Sequence, residues 1–177
     1  MRSEARPLPR LLAAFLHAAL VAPAALTAPP AEVVERILAA VDDRPVLLSE
    51  VRVVEEVRGL AREQALEALI DERLMYEQAA RLPQSVVSDE EVEGGVEGLL
   101  SARPALAGRV GEADLRRLVR RQAAILKFVE FRFRPQVRVP DGLPPGEREA
   151  QVRRALDERI EAWVEELRAG ADVRYNR

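Results

Sequence analysis

The chain has 177 residues, a formal net charge of −3 at neutral pH, no cysteine and one histidine. The lack of cysteine excludes disulfides, thiolate nucleophiles and cysteine-based zinc sites. Hydrophobic residues make up 48% of the chain and aromatic residues only 4%, a composition that suits one helical domain with wide solvated faces and a leader.

Residues 1–28 have the order of a secretory signal peptide. A basic start with three arginines precedes the apolar run Leu11–Val21, and small residues follow it. Eleven helical residues reach about 16 Å, which is short of the roughly 30 Å hydrocarbon core of a bilayer. We therefore expect cleavage and export to the periplasm. The alternative is an uncleaved inner-membrane anchor that faces the periplasm.

The rest of the chain predicts a mostly α-helical fold with a small β-sheet. The apolar runs Val33–Val41 and Val46–Leu48 flank turn residues and favour a hairpin, with Ser49 as the N-cap of the next helix. The alternative makes Glu32–Ala40 a helix. Apolar spacing then predicts the remaining elements, which are helices at Glu50–Ala61, Arg62–Leu82, from Ser88 onward, Gly111–Phe133 and Glu147–Ala169, and a strand at Asp172–Tyr175.

Glycine weakens one of these predicted helices. Ser88 and Glu91 form a capping box at its start, but Gly94, Gly95 and Gly98 follow within it. Each glycine costs about 1 kcal/mol relative to alanine in a helix interior. We expect this helix to be marginal or broken unless it is packed.

Several segments, in this order, resemble SurA-type periplasmic chaperones. They are Ile37–Val51, Ala65–Ala79 with its Leu-Ile-Asp pattern, Val87–Val92, Leu115–Val139 and Arg159–Tyr175. The resemblance implies a SurA N-terminal-like helical domain over residues 32–139. It also implies that the helix and strand of residues 147–177 close the domain, with the strand near Val173 pairing with the N-terminal strands.

The junction between these two parts differs from the family. A parvulin prolyl-isomerase domain usually lies there, whereas this chain has only the Pro/Gly linker of residues 140–146. Isomerase activity therefore cannot be carried over. The mature chain would also lack histidine and cysteine, and neighbouring acids such as Glu165 and Glu166 diverge on a helix. We expect no enzyme, no metal and no cofactor.

The resemblance implies an ATP-independent chaperone-like protein that binds extended segments of unfolded exported or outer-membrane proteins. The alternative is a structural or assembly subunit of the cell envelope that binds one specific folded protein or self-associates. Apolar residues on the predicted long helices are the candidates for peptide binding, and they are Leu69, Met75, Leu118, Ile125, Phe128, Phe131 and Trp163.

Positive charge is concentrated in one helix. The stretch Arg116–Arg138 carries eight basic side chains and one acid, Glu130. Such a helix can mark a nucleic-acid or anionic membrane surface. Because the whole chain is acidic and begins with an export signal, we expect no nucleic acid. The basic helix is instead expected to lie against the acidic helices of its own chain, and a weak membrane-surface contact is the alternative.

Overall fold

The computed structural model describes residues 35–140 and 142–176, so the predicted leader, residues 1–28, lies outside the described residues. Within them the chain forms a mostly α-helical fold with a small antiparallel sheet, as predicted. The elements in chain order are β1 (Ile37–Val41), β2 (Arg44–Leu47), α1 (Leu48–Arg58), α2 (Arg62–Ala79), α3 (Asp89–Ala102), α4 (Glu112–Arg132), α5 (Pro145–Gly170) and β3 (Val173–Tyr175).

The sheet joins the two ends of the described chain. Its strand order is β2-β1-β3, and β1 pairs antiparallel with both neighbours. The hairpin is therefore confirmed over the helical alternative, and β3 pairs with β1 as predicted. Asp42 and Asp43 form the two-residue turn with φ of 46° and 66°, the left-handed pair that matches the strand twist. The Asp42 carboxylate also accepts the Asp172 N–H at 2.9 Å.

The start of α1 differs from the prediction. The helix begins at Leu48, so Ser49 is inside it and is not the N-cap. The Glu50 carboxylate accepts the Leu47 N–H at 3.1 Å, and the Glu35 carboxylate accepts the Ser49 N–H at 3.1 Å. Hydrogen bonds from Ser49 hold the pKa of Glu35 below its ordinary value. Two acidic side chains therefore satisfy N–H groups that the first turn leaves unpaired.

The glycine-rich helix α3 is continuous because it packs against α4. Val92 and Val96 of α3 are buried, and their burial offsets the low helix propensity of the glycines. A Cβ at Gly95 would lie 2.5 Å from the Val119 Cγ1 atom. Glycine is needed at this position because the two helices approach closely there.

Helix α5 is attached differently from the other helices. It begins at Pro145, so Pro145 and Gly146 belong to the helix rather than to the predicted linker. None of its residues is buried, although Leu156, Ile160 and Leu167 pack half-buried against the core. None of the helices in the described part of the chain is long and apolar enough to span a membrane.

Candidate functional site

Helix α5 lies against α2 and α4, and two open cavities are lined by residues of these three helices. One cavity, here called the aromatic pocket, has a volume of about 750 Å³ and is lined by the rings of Phe128, Phe133 and Trp163. The other, here called the apolar groove, has a volume of about 400 Å³ and is lined mainly by aliphatic side chains of the three helices. Both volumes are in the range of ligand-binding cavities.

Three rings form the apolar wall of the aromatic pocket. The Trp163 ring stacks on the Phe128 ring, with centroids 4.7 Å apart and an interplanar angle of 10°. The Phe133 ring meets Trp163 edge-on at 5.3 Å and Phe128 edge-on at 5.9 Å. These are the offset and edge-to-face arrangements that aromatic pairs prefer. The cluster holds α5 on the end of α4. Phe128 and Phe133 are only 4% and 8% exposed, so the partly buried Trp163 presents most of the ring surface to the cavity.

Six charged side chains line the same pocket, and half of them are satisfied within the chain. Glu77 pairs with Arg44 at 2.6 Å, the Asp42 carboxylate accepts the Asp172 N–H, and Arg159 donates to the Gln136 side-chain oxygen at 2.6 Å. The other three, for which the described residues provide no oppositely charged partner, are Arg81, Arg132 and Glu166.

The apolar groove is walled by aliphatic groups from all three helices. Met75 comes from α2, Ile125, Leu126 and Val129 come from α4, and Ile160 and Val164 come from α5. Leu126 is 62% exposed, which is unusual for a leucine with a core face available on the same helix. The groove therefore offers an aliphatic surface that the chain itself leaves open to solvent.

A satisfied carboxylate closes the polar end of the groove. Glu72 is only 2% exposed and accepts hydrogen bonds from Arg58, from Arg121 Nε at 2.8 Å and from the Gln122 amide at 3.4 Å. Glu72 is therefore buried and already satisfied by donors of the chain. The other polar side chains of the lining, Arg58, Asp71 and Gln122, are also hydrogen-bonded within the chain, so the unpaired surface of the groove is aliphatic.

Helix α5 and β3 are fastened to α2 by polar contacts. Arg168 donates to Asp71 and pairs with Glu67 at 2.9 Å, and the Tyr175 hydroxyl donates to Glu67 at 3.2 Å. The Asp71 carboxylate, with a smaller contribution from Glu67, raises the pKa of Arg168 above its ordinary value. Burial and Glu67 raise the pKa of Tyr175. We call these four residues the latch.

The basic side chains of α4 are largely paired with acids of the same chain. Those with an acidic partner are Arg116 (Glu93 and Glu112), Arg117 (Asp114), Arg120 (Asp89), Arg121 (Glu72) and Lys127 (Glu91). The partners lie on α2, on α3 and within α4. This geometry favours the expected packing against acidic helices over a surface for an external polyanion.

The structure divides the seven predicted peptide-binding residues into three groups. Met75 and Ile125 line the apolar groove, and Phe128 and Trp163 line the aromatic pocket. Leu69 and Leu118 are fully buried and line neither cavity, so they have no surface with which to contact a peptide. Phe131 is 54% exposed and also lies outside both cavities.

Sequence reasoning missed several residues of the two cavities. Ile160 and Val164 lie one helical turn apart on α5 and complete the groove. Ile160 belongs to the apolar stripe of the predicted helix Glu147–Ala169 and Val164 does not, and a stripe alone does not distinguish a buried face from a half-open one. Arg81 was not singled out, and Arg132 was noted only as one of the basic side chains of Arg116–Arg138, because the sequence does not reveal which arginines lack an acidic neighbour.

No family model matches the chain, and no curated protein matches it. Among residues 35–140 and 142–176, no three acidic, histidine or cysteine side chains come together as a metal site would require. The two cavities are the features from which a function can be argued.

Proposed function

We propose that this chain is an ATP-independent, chaperone-like protein of the SurA N-terminal type, without isomerase domains, that acts in the periplasm. It holds extended segments of unfolded exported or outer-membrane proteins. The observation that carries the proposal is the apolar groove, in which three helices leave aliphatic side chains, including the exposed Leu126, open to solvent. The signal-like order of residues 1–28 supports the location.

The size of the groove supports weak and exchangeable binding. Burial of one large apolar side chain contributes about 1.5–3 kcal/mol, and the groove has room for two or three such side chains. Association costs at least about 4 kcal/mol in lost freedom. For one bound segment the surplus is at most about 5 kcal/mol, which corresponds to a dissociation constant of about 0.2 mM or weaker, and such weak binding lets a client leave without nucleotide hydrolysis.

Aggregation suppression tests this proposal. A denatured outer-membrane β-barrel protein is diluted into buffer with the mature chain, and light scattering is compared with an inert protein of equal charge. We expect suppression at near-stoichiometric amounts without nucleotide. Absence of suppression even in excess would reject the proposal and favour a dedicated assembly partner, to be sought by crosslinking in the cell envelope.

Two matched variants locate the binding surface. Leu126→Gln removes an exposed side chain of the groove, and Phe131→Gln removes an exposed side chain five residues away on the same helix and outside both cavities. Both positions are mostly exposed, so neither change should affect folding by more than about 0.5 kcal/mol. We expect Leu126→Gln to weaken client binding about fivefold and Phe131→Gln to leave it unchanged. Equal losses would show that scattered apolar surface, not the groove, binds the client.

A further inference from the structure

We propose that the aromatic pocket binds the C-terminal residue of an unfolded polypeptide. Its carboxylate pairs with Arg81 and Arg132, and its apolar side chain packs against the rings of Phe128, Phe133 and Trp163. This inference rests on the proposed function, because it takes the ligand of the pocket to be a polypeptide. It goes further by giving the pocket a chemical preference that the apolar groove does not have.

The charge balance of the pocket points to an anionic group. Of its three basic residues, Arg81 and Arg132 have no carboxylate within ion-pair distance among the described residues, and Arg159 is bonded only to a neutral amide. Of its three acids, only Glu77 is paired with a cation in the described part of the chain, Arg44, which lies outside the pocket lining, whereas Asp42 accepts a backbone N–H and keeps its charge. Three guanidinium groups without an acidic partner and two carboxylates without a basic partner among these residues leave an excess of one positive charge. A ligand carboxylate would offset it.

Arg132 is already oriented by the aromatic cluster. Its guanidinium lies over the Phe128 ring, 5.9 Å from the ring centroid, in the range of a cation–π contact. A guanidinium held over a ring keeps its N–H edges available for a planar carboxylate. Every other basic side chain of α4 is paired with an acid of the chain, so Arg132, which has no acidic partner among the described residues, is the exception within this helix.

A chain terminus meets both requirements with a single residue. The aromatic rings and the unpaired arginines line the same cavity, which has a volume of about 750 Å³. A C-terminal residue carries a carboxylate and a side chain on the same Cα, and the carboxylate is ionised at neutral pH. Neighbouring side chains of an extended segment point to opposite sides, so an internal acid beside an apolar residue presents only one of the two groups to the pocket.

The only tryptophan of the chain lies in this pocket, so its fluorescence reports occupancy directly. The probes are an acetylated hexapeptide that ends in Leu-Phe with a free carboxylate, and the same peptide with a C-terminal amide. We expect the acid to bind about fivefold more tightly than the amide, in line with one partly exposed charge contact. The preference should decrease at high salt because both partners are exposed.

Three variants test the assignment. Arg81→Gln and Arg132→Gln should each remove most of the acid-over-amide preference and leave binding of the amide unchanged. Glu166→Gln should increase the preference, because it removes an unpaired acid of the pocket. The matched control is Arg153→Gln on the exposed part of α5, ten residues from Trp163, which should change neither affinity.

The outcomes separate this inference from the proposed function. Equal affinity for acid and amide, or a preference that persists in both arginine variants, would overturn the inference and leave aggregation suppression as an independent result. A preference that depends on the arginines in a protein that does not suppress aggregation would support the inference and reject general chaperoning. N-acetylphenylalanine carries the same carboxylate and ring on one Cα, so failure of this compound to bind with the same dependence on the two arginines would overturn the inference also.

Discussion

Helices α4 and α5 have similar lengths and similar apolar spacing, but they differ in how deeply they are buried. Helix α4 has 21 residues and buries six of them, whereas α5 has 26 residues and buries none. The difference comes from their neighbours: α4 packs against α1, α2 and α3, while α5 lies across one side of the fold. An amphipathic stripe therefore predicts which face of a helix packs against the protein, but it does not predict how deeply that face is buried.

The two regions are consequently held by different forces. The body, which consists of β1, β2 and α1–α4, is stabilised by buried aliphatic side chains, and the described residues with exposures near 0% all lie in it. The arm, which consists of α5 and β3, is held by a half-buried apolar stripe, the aromatic cluster, the latch and the pairing of β3 with β1. Both cavities lie at the boundary between body and arm, where packing is incomplete.

The first prediction compares a core truncation in each region. Leu69→Ala in the body removes a fully buried side chain, and we expect a loss of about 3 kcal/mol in the free energy of unfolding. Ile160→Ala in the arm removes a half-buried side chain that already borders the apolar groove, so we expect about 1 kcal/mol. Urea unfolding followed by circular dichroism measures both.

Leu126→Ala is the control for this pair, because the side chain is mostly exposed and its truncation should cost less than about 0.5 kcal/mol. Equal losses for Leu69→Ala and Ile160→Ala would show that α5 belongs to the same core as α4 and would remove the distinction between body and arm.

The contrast between the two helices also explains what the sequence could predict. The five helices, the hairpin and the closing strand were recognisable, because capping boxes, turn residues and apolar spacing are local signals. The start of α1 was misplaced by the Ser49 N-cap, because the groups that satisfy its first turn include Glu35, which is fourteen residues away. The continuity of α3 depends on the approach of Gly95 to Val119, which no local pattern encodes.

The residues of the two cavities could be predicted only in part, because the cavities depend on how distant helices pack. Met75, Ile125, Phe128 and Trp163 were selected as apolar residues on long helices, and the structure places them along two open cavities. Leu69 and Leu118 satisfy the same pattern but are fully buried. A leucine in the core and a leucine in a groove have the same spacing, so only the position of α5 distinguishes them.

The second prediction concerns the latch, which attaches the arm to the body. Arg168→Gln removes the contacts with Asp71 and Glu67, and the Arg168 side chain is about one-third exposed. After allowance for solvent screening, we expect a loss of about 1 kcal/mol. The loss should be local: amide hydrogen exchange should increase in α5 and at the Asn176 N–H, which donates to the Leu38 carbonyl, and remain unchanged in α2 and α4.

Arg153→Gln, at an exposed position of the same helix, should leave all of these exchange rates unchanged. Faster exchange throughout α2 and α4 in the Arg168 variant would instead mean that the arm supports the whole body, and the cavities could not then open independently.

The third prediction uses pH and has the smallest expected effect. In the body, hydrogen bonds from Lys127 and Arg120 hold the pKa values of Glu91 and Asp89 below their ordinary values. Their contribution is therefore present above about pH 4.5 and is lost as the pH falls through the lowered pKa values. Glu91→Gln should reduce this acid sensitivity, whereas the exposed neighbour Glu90→Gln should not.

The attachment of the arm should depend on pH in the alkaline range. Burial, together with Glu67, raises the pKa of Tyr175 above its ordinary value of 10.0. A raised pKa means that the contribution is complete below pH 10 and is lost as the pH rises through the folded value. Trp163 fluorescence should therefore change at alkaline pH before circular dichroism does, and Tyr175→Phe should abolish this early change. If the two signals changed together at alkaline pH, body and arm would unfold as one unit, and the half-buried attachment of α5 would have no energetic consequence.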